Sequence, residues 1–285
     1  MAIKIKRIAA FAMCLLLVFG LFGLFMLVRK HEQEKEEIAA KEEYEQVTQN
    51  FRDRYFQNKD NLYLLWDGNE FPVDHTNPFY GMNHAKVNFR SELTVDWGDG
   101  EVTNGGSTHT YTDNQRYHLI VVSGDIKQSD IQTDMFLRCT YLRKIAIPLG
   151  ITSIPLGMCN ESGLDEVIFS DNIKNINSYA FCHNIYLETI TLPESLTTLS
   201  ASAFQLSGLK KVELPSNVKT IDKNAFAEIS NLEIVRFNGT VPTNIGANVF
   251  ANCPKLANII VPRHEFVNYK ACTALSAWND KIVYE

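Results

Sequence analysis

One short segment collects the carboxylates and the histidine that come nearest to a chemical site. It reads Val95-Asp-Trp-Gly-Asp-Gly-Glu101, and His109-Thr-Tyr111 follows seven residues later. Three carboxylates in one hairpin suggest calcium, yet that ion takes about six to eight oxygen ligands. Gly98 and Gly100 permit positive φ, and an aspartate beside them can accept hydrogen bonds from the turn amides. We therefore expect these carboxylates to stabilise a turn, with calcium as the alternative, and His109 to pack within a strand.

Catalytic motifs are absent from the rest of the sequence. There is no G-x-S-x-G, P-loop, G-x-G-x-x-G or H-E-x-x-H. Carboxylate pairs such as Asp165-Glu166 fall on expected exposed strand positions, where no closed pocket would raise a carboxyl pKa for acid catalysis. We expect a chain that is not an enzyme and that holds no cofactor and no metal.

An internal repeat with a period of 22 to 24 residues predicts the elements that position these groups. A leucine follows one marked position by five or six residues in every copy. A unit this short cannot bury its apolar residues except against its neighbours, so the period predicts a solenoid of about six rungs. The marked position holds Phe136, Met158, Phe181, Phe204, Phe226 and Phe250. We expect its five phenylalanines to pack inside the corners of the coil.

Each repeat also contains a strand signal, as in Leu187-Glu-Thr-Ile-Thr-Leu-Pro193 and Leu209-Lys-Lys-Val-Glu-Leu-Pro215. Apolar residues two apart predict a strand with one buried face, which proline then ends. The Ala-Phe, Leu-x-x-Ile-x-Leu-Pro and Val-x-x-Ile series resembles the BspA-like leucine-rich repeats of bacterial and some protist surfaces. The resemblance implies a solenoid over 129–262 that serves in adhesion to, or recognition of, proteins on a host or neighbouring cell, without catalysis. Residues 263–285 break the pattern and resemble the terminal cap of that family.

The outward positions of the predicted strands form columns of charged residues. Opposite charges fall on neighbouring rungs, as in Arg143 with Asp165 or Lys210 with Glu188 and Glu233. Such columns form a ladder of exposed ion pairs, each worth about 0 to 1 kcal/mol, and they also offer a flat charged surface to a protein ligand. The two interpretations are compatible. The candidate binding face consists of Arg143, Lys144, Asp165, Glu166, Ile168, Glu188, Thr191, Lys210, Lys211, Glu213, Glu233 and Arg236.

Four of the six cysteines occupy repeated positions of the solenoid. Cys159 and Cys182 each follow the marked position by one residue, which would place them about 5 Å apart on adjacent rungs. We expect buried free thiols, with a disulfide between these two as the alternative.

The N-terminus carries a membrane signal. Residues 8–28 contain no charged residue, and 21 residues of helix cover the hydrocarbon core of about 30 Å. A cleaved signal peptide would have a shorter apolar stretch, so 1–30 is predicted to be a cytoplasmic tip and a retained transmembrane helix. The flanking charges favour an extracellular body.

A helical stalk is predicted for 31–58, which lacks proline and glycine. Tyr44, Val47, Phe51 and Tyr55 share one helical face. We expect a solvated spacer, and pairing of two stalks through this face is the alternative.

Residues 59–128 change to an aromatic, strand-forming composition, with strands expected at 61–66, 85–89, 92–96 and 117–122. The series from Val95 to Tyr117 resembles the polycystic-kidney-disease-type (PKD) sandwich, although Val95 replaces a tryptophan and the glycine before Tyr117 is absent, with Arg116 immediately preceding it. The resemblance implies a small immunoglobulin-like β-sandwich.

The distribution of charge limits the classes of molecule that the chain is expected to bind. Lys4, Lys6, Arg7, Arg29 and Lys30 are five of the 27 basic residues, so the rest of the chain has 22 basic against 33 acidic residues and a net charge of −11. An acidic body argues against nucleic acid. The sequence therefore predicts a mainly β, membrane-anchored surface protein that binds proteins. Alternatives are a structural envelope component assembled through stalk and sandwich, and a carbohydrate-binding module that would need exposed Trp66, Tyr80 and Trp97.

Overall fold

The computed structural model describes residues 2–67, 84–86, 90–105, 108–110 and 116–285. The side chains of 2–27, 84–86, 108 and 110 lie outside this description. Two compact units are present, Met1–Asn50 and Phe51–Glu285.

The first element is a single α-helix, α1, which runs from Ala2 to Gln57. It agrees with the prediction of unbroken helix through anchor and stalk. Among the described residues, no helix combines the length and apolarity that a membrane crossing requires. The predicted span at 8–28 lies, except for Val28, among residues whose side chains are not described.

The last two turns of α1 belong to the second unit rather than to a free stalk. Phe51 and Tyr55 are buried, and the Tyr55 hydroxyl donates a 3.4 Å hydrogen bond to the carbonyl oxygen of Ile147. Burial, helped by the negative charge of Asp171, raises the pKa of Tyr55 to about 12. Two of the four residues on the predicted pairing face of the stalk are therefore already buried by contacts within the same chain. Stalk pairing stays a prediction.

Within its described residues, the segment predicted to be a sandwich forms six short strands. They are β1 (Leu62–Asp67), β2 (His84–Lys86), β3 (Thr94–Asp96), β4 (Val102–Asn104), β5 (Thr108–Thr110) and β6 (Tyr117–Ser123). β3 pairs with β4 and β6, β6 with β1, and β2 with β5, all antiparallel. The strands expected at 61–66, 92–96 and 117–122 are present, while 87–89 of the fourth lie outside the described residues. The immunoglobulin-like assignment stays a prediction.

One sheet continues from this segment into the solenoid. β1 pairs antiparallel with β7 (Leu142–Ala146), and β7 pairs parallel with β9 (Glu166–Ile168). The sheet order is β4-β3-β6-β1-β7-β9. β1 therefore covers the edge of the first solenoid strand, an edge that would otherwise be open to pairing with another chain. The predicted boundary between residues 128 and 129 is crossed by this sheet.

The solenoid consists of six rungs, numbered 1 to 6 by the leucine that begins each strand segment. The strand segments begin at Leu142, Leu164, Leu187, Leu209, Leu232 and Leu256. A second side is a parallel sheet of two-residue strands, ordered β15-β13-β11-β10-β8. These strands are β8 (Ser153–Ile154), β10 (Asn175–Ile176), β11 (Thr198–Leu199), β13 (Thr220–Ile221) and β15 (Asn244–Ile245). The first side continues beyond β9 as a separate parallel sheet of β12 (Lys211–Leu214), β14 (Ile234–Phe237), β16 (Asn258–Val261) and β17 (Ile282–Tyr284).

The third side is a corner at which the phenylalanines stack. Phe204 lies between Phe181 and Phe226, with ring centroids 5.5 Å from each, and Phe250 continues the stack at 5.9 Å. Phe136 is also buried. The predicted corner packing is confirmed.

The predicted register at this corner is wrong by one residue in the second copy. Left-handed residues flank Phe181 at 179 and 183, and they flank Cys159 at 157 and 161. The amide of Cys159 donates to the carbonyl oxygen of Ala180 at 2.8 Å, just as that of Phe181 donates to Ala203 at 2.9 Å. Cys159, not Met158, therefore holds the position equivalent to phenylalanine. Backbone conformation sets the register, and sequence similarity between methionine and phenylalanine misplaces it.

The C-terminal segment covers rung 6. A 3₁₀ turn (Arg263–Glu265), helix α2 (Phe266–Ala271) and a second 3₁₀ segment (Thr273–Lys281) precede β17, which pairs parallel with β16. The Trp278 ring meets Phe250 edge-on at 5.7 Å. The hydroxyl of buried Tyr269 donates to the carbonyl oxygens of Gly239 and Thr240. This segment closes the end of the phenylalanine stack.

Candidate binding face and groove

The predicted ion-pair ladder is present along the first side of the solenoid. Nη2 of Arg143 lies 3.1 Å from Asp165, and Nζ of Lys210 lies 2.5 Å from Glu188. On rungs 4 and 5, Arg236 lies 4.0 Å from Glu213. Within the described residues, no ion pair joins Lys210 to Glu233. On rungs 3 to 5 the paired side chains lie on the predicted outward side.

Rungs 1 and 2 do not present the exposed face that the sequence predicts. Lys144 is buried, with Nζ 2.8 Å from Asp165 and 3.2 Å from Glu166. Nε of Arg52, on α1, lies 2.7 Å from Glu166. The end of α1 covers this part of the sheet, so the expected outward exposure of Lys144 is wrong. Ala146, placed on the outward side of the same strand, is also buried.

Rung 3 lacks the strand that its sequence predicts. Leu187–Pro193 contains the full repeat motif, yet its residues form no strand between β9 and β12. In the described part of the chain, no backbone hydrogen bond reaches Thr189, Ile190, Thr191 or Leu192. The neighbouring Glu188 does hydrogen-bond to the next rung, because its carbonyl oxygen accepts from the amide of Lys210 at 3.0 Å.

The break is confined to this side of rung 3. β11 of the same rung pairs with β10 and with β13, and the amide of Phe204 donates to the carbonyl oxygen of Ala225 at 2.9 Å. Rung 3 is therefore held at two of its three sides. Its first side leaves the adjacent edges of β9 and β12 without a neighbouring strand.

The residue before the first leucine of rung 3 differs from that of the rungs on either side of it. A Cβ on Gly163 would lie 1.9 Å from the oxygen of Thr140, and one on Gly208 would lie 2.2 Å from that of Ile185. Glycine at these positions lets rungs 2 and 4 approach the preceding rung closely, whereas rung 3 has Tyr186 at the equivalent position. Asn231 and Lys255 occupy it in rungs 5 and 6, which do pair, so Tyr186 alone does not account for the break.

A groove of about 750 Å³ lies beside the unpaired segment. Arg52 and Phe56 at the end of α1, together with Lys59 just beyond the helix, line one wall, and residues from within 186–193 line the other. Glu166 and Ile168 belong to the floor. A smaller groove of about 370 Å³ lies on the other side of the segment, between Thr189–Leu192 and β12. The unpaired segment is therefore accessible from both sides.

The wall contributed by α1 is the part of the site that sequence reasoning misses. Arg52, Phe56 and Lys59 lie in the region predicted to be a stalk and its junction with the sandwich. The buried face that includes Tyr55 signals that this helix packs on something, but the sequence does not say on what. Tertiary packing on β9 therefore creates half of the groove.

The charges of the groove are mainly balanced within it, with an acidic excess. Four carboxylates line the larger groove, those of Asp165, Glu166, Asp171 and Glu188, against three basic side chains. Asp171 is 83% exposed and Glu188 58%. Both are candidates for meeting a basic group on a ligand.

On rung 4, a hydrogen bond from Lys211 lowers the pKa of Glu213, against the raising effect of its desolvation. The charge of Lys211 and that of Arg236 act in the same direction as the hydrogen bond. Glu213 is therefore held as an anion on the rim of the smaller groove.

The acidic turn is built as predicted for a structural turn. Gly98 and Gly100 have φ of 84° and 95°, and Oδ1 of Asp99 accepts from the amide of Glu101 at 3.1 Å. Burial would raise the pKa of Asp99, but the hydrogen bonds from Glu101 and His109 outweigh it and lower the pKa. Among the described residues, no group of three or more metal-ligating side chains is present.

His109 lies inside this turn. Its Nε2 lies 2.6 Å from Oδ2 of Asp99, and its ring stacks on Trp97 with centroids 4.7 Å apart. Both rings are buried. The predicted packing role of His109 is confirmed.

The aromatic residues required for carbohydrate binding are not available as a set. Trp97 is 0% exposed and Trp66 is 3% exposed, while Tyr80 lies outside the described residues. The two tryptophans do not meet the exposure that the carbohydrate-binding alternative requires, because both pack into the core shared by the sandwich segment and the first rungs.

The cysteines of the described region are free thiols. Cys159 and Cys182 do not form the alternative disulfide, and the corrected register places them at different positions of their rungs. Burial raises the pKa of Cys139 to about 12 and that of Cys182 to about 11. Neither thiol is poised as a nucleophile, because the thiolate is disfavoured.

Comparisons with known proteins agree with the repeat architecture. The family model "BspA type Leucine rich repeat region" matches six copies within residues 117–185 and 157–273, more than half of the chain. No curated protein sequence matches. Among solved structures, a leucine-rich repeat protein from Bacteroides ovatus ATCC 8483 has 23% identity and a TM-score of 0.46, over 66% of this chain and 48% of that one.

A leucine rich cell surface protein from Faecalibacterium prausnitzii A2-165 has 22% identity and a TM-score of 0.29, over 44% of this chain and 43% of that one. The chain therefore spans less than half the length of either protein.

Proposed function

Because the chain belongs to the BspA-type leucine-rich repeat family, we propose that it is a binding protein that recognises other proteins through the first side of its solenoid. The alternation of exposed and buried residues along β12 carries this proposal. Lys211 and Glu213 face solvent, while Val212 and Leu214 are fully buried. A parallel sheet with one packed face and one charged face is a rigid surface for a partner.

The binding surface in this proposal is the outward face of rungs 3 to 5. Rungs 1 and 2 are excluded because the end of α1 covers Lys144 and contacts Glu166. The face consists of Glu188, Thr191, Lys210, Lys211, Glu213, Glu233 and Arg236. Recognition involves no catalytic step.

Display at a membrane completes the proposal. The uncharged run at 8–28 anchors the chain, and the body lies outside the cell. Protease digestion of intact cells tests this part. Loss of 51–285 from intact cells supports outward display, while protection until the cells are lysed contradicts it.

A screen of the full chain against immobilised matrix proteins, glycans and bacterial surfaces tests recognition. We expect a protein ligand whose binding falls at least about ten-fold in the double variant Lys211→Glu/Arg236→Glu, since charge reversal at an interface opposes association. A matched control is Lys174→Glu/Lys219→Glu, which makes the same charge change outside the first side and should retain binding. Equal losses in both variants, or no protein ligand at all, would contradict the proposal.

A further inference from the structure

We propose that the unpaired segment of rung 3, Thr189–Leu192, and the groove beside it bind an extended, basic peptide segment of the partner protein through main-chain hydrogen bonds. This inference rests on the proposed function and deepens it, since it names the part of the face that makes the primary contact and the chemistry of what it contacts.

The first support is the supply of backbone groups. On the first side, each of the five remaining rungs forms a strand that hydrogen-bonds to a neighbouring strand. Thr189, Ile190, Thr191 and Leu192 have no backbone partner among the described residues. Backbone amides and carbonyls are obligatory hydrogen-bonding groups, and an unpaired row of them is a template for another extended chain.

The second support is the packing beneath the segment. The inward residue Ile190 is only half-buried, while its equivalents on rungs 4 and 5, Val212 and Val235, are 0% exposed. Leu192 retains 7% exposure where its equivalent Leu214 has none. A ligand lying over this segment would therefore also cover apolar surface that the other rungs cover with their own strands.

The third support is the size and shape of the groove. About 750 Å³ falls within the range of roughly 300 to 1,000 Å³ that ligand sites occupy. The groove follows the segment from Tyr186 to Pro193. Phe56, 61% exposed, and Tyr186, 46% exposed, both line the groove. Their rings offer apolar surface to a side chain of the ligand.

The fourth support is charge, and it selects the occupant. The carboxylates of Asp171 and Glu188 are exposed at the groove, and the smaller groove adds Glu194 and Glu213 against Lys211. With the body of the chain at −11, a basic ligand is attracted and an acidic one repelled. The occupant is therefore an extended segment in which lysine or arginine alternates with valine or isoleucine.

Synthetic seven-residue peptides of alternating lysine and valine test the inference on the full chain. We expect saturable binding to the wild-type protein, measured by fluorescence anisotropy of a labelled peptide. The same peptide with N-methyl groups on alternate residues, which remove amide donors, should bind at least about ten-fold more weakly, as should the glutamate-valine peptide.

Two variants with one chemical change locate the site. Glu188→Lys reverses a charge in the groove, and Glu43→Lys makes the same change at an exposed glutamate of α1 that belongs neither to the binding face nor to the residues lining the groove. Glu188 is exposed and pairs with an exposed lysine, so its loss leaves the fold intact. We expect Glu188→Lys to weaken binding of the lysine-valine peptide at least about ten-fold and Glu43→Lys to change it less than about two-fold. Phe56→Ala, which removes an exposed ring, should weaken it as well.

The outcomes separate this inference from the proposed function. Equal binding of the N-methylated peptide, or equal effects of Glu188→Lys and Glu43→Lys, overturns the inference. If a protein ligand still depends on Lys211 and Arg236, the proposed function stands without the groove. Peptide binding that depends on Glu188 supports the inference even where the screen for a protein ligand finds none.

Discussion

Rungs 3 and 4 of the solenoid carry nearly the same motif and behave differently on one side. Leu209–Pro215 contains β12, whose inward residues are fully buried and which pairs with β14. Leu187–Pro193 forms no strand, although the second side and the corner of its rung are paired as in the others. The repeat motif therefore ensures inward packing at the corner, but it does not by itself ensure pairing between rungs.

The largest expected effect tests whether rung 3 is held firmly at its corner. Phe204→Ala should lower the free energy of unfolding by about 3 to 5 kcal/mol, because it empties a stacked and fully buried site. Thr191→Ala, on the unpaired side of the same rung, should change it by less than about 0.5 kcal/mol. Urea unfolding of the full chain measures both. Similar losses in the two variants would mean that inside and outside are wrongly assigned.

The next effect compares the ion clusters on either side of rung 3. Lys144→Met removes a buried cation from two carboxylates and should cost roughly 3 kcal/mol, since breaking a buried pair leaves charges uncompensated. Lys210→Met, at an exposed pair, should cost about 0 to 1 kcal/mol. Unfolding in low and high salt distinguishes them further, because salt screens only the exposed pair strongly. A smaller loss for Lys144→Met than for Lys210→Met would contradict the burial of rungs 1 and 2.

A smaller effect concerns the close approach of rung 4 to rung 3. Gly208→Ala forces a Cβ against the oxygen of Ile185 and should cost about 1 to 3 kcal/mol by overpacking. Asn231, at the equivalent position of rung 5, already carries a Cβ, so Asn231→Ala should change stability little. Thermal unfolding measures the difference. A neutral Gly208→Ala would show that rungs 3 and 4 are further apart than in the structure.

The smallest stability effect depends on pH and lies where the sandwich segment meets the solenoid. Arg90 donates to both carboxylate oxygens of Asp130, at 2.5 and 2.9 Å. That hydrogen bond, against the cost of burial and with help from the amide of Lys127, lowers the pKa of Asp130. A carboxyl with a lowered folded pKa stabilises the fold fully above its unfolded value of about 3.9, and this stabilisation is lost as the pH falls through the folded value.

Asp130→Asn should therefore lower the unfolding temperature near pH 7. It should also make the unfolding temperature decrease less steeply as the pH falls below about 4. Unfolding temperatures measured from acid to neutral pH check this. A variant that loses stability on acidification as steeply as the wild type would exclude Asp130 as a source of the dependence.

The sequence predicts the solenoid, its phenylalanine corner and the ladder of charges because these follow from spacing repeated every 22 to 24 residues. It misplaces Cys159 by one residue, because the register there depends on left-handed backbone positions rather than on residue type. It also misses the wall formed by Arg52 and Phe56, since contacts far apart in sequence leave no periodic signal. The sequence also does not predict that Thr189–Leu192 is unpaired, because threonine and isoleucine favour a strand.

Amide hydrogen exchange in rung 3 tests the central claim most directly. Thr189–Leu192 should exchange at least about ten-fold faster in the free protein than Ile234–Phe237, which pairs with a strand on each side, because backbone groups without a paired strand open at little cost. The lysine-valine peptide should slow exchange in the first segment and leave the second unchanged. Equal protection of the two segments without peptide would show that rung 3 is paired like its neighbours, and would contradict the account.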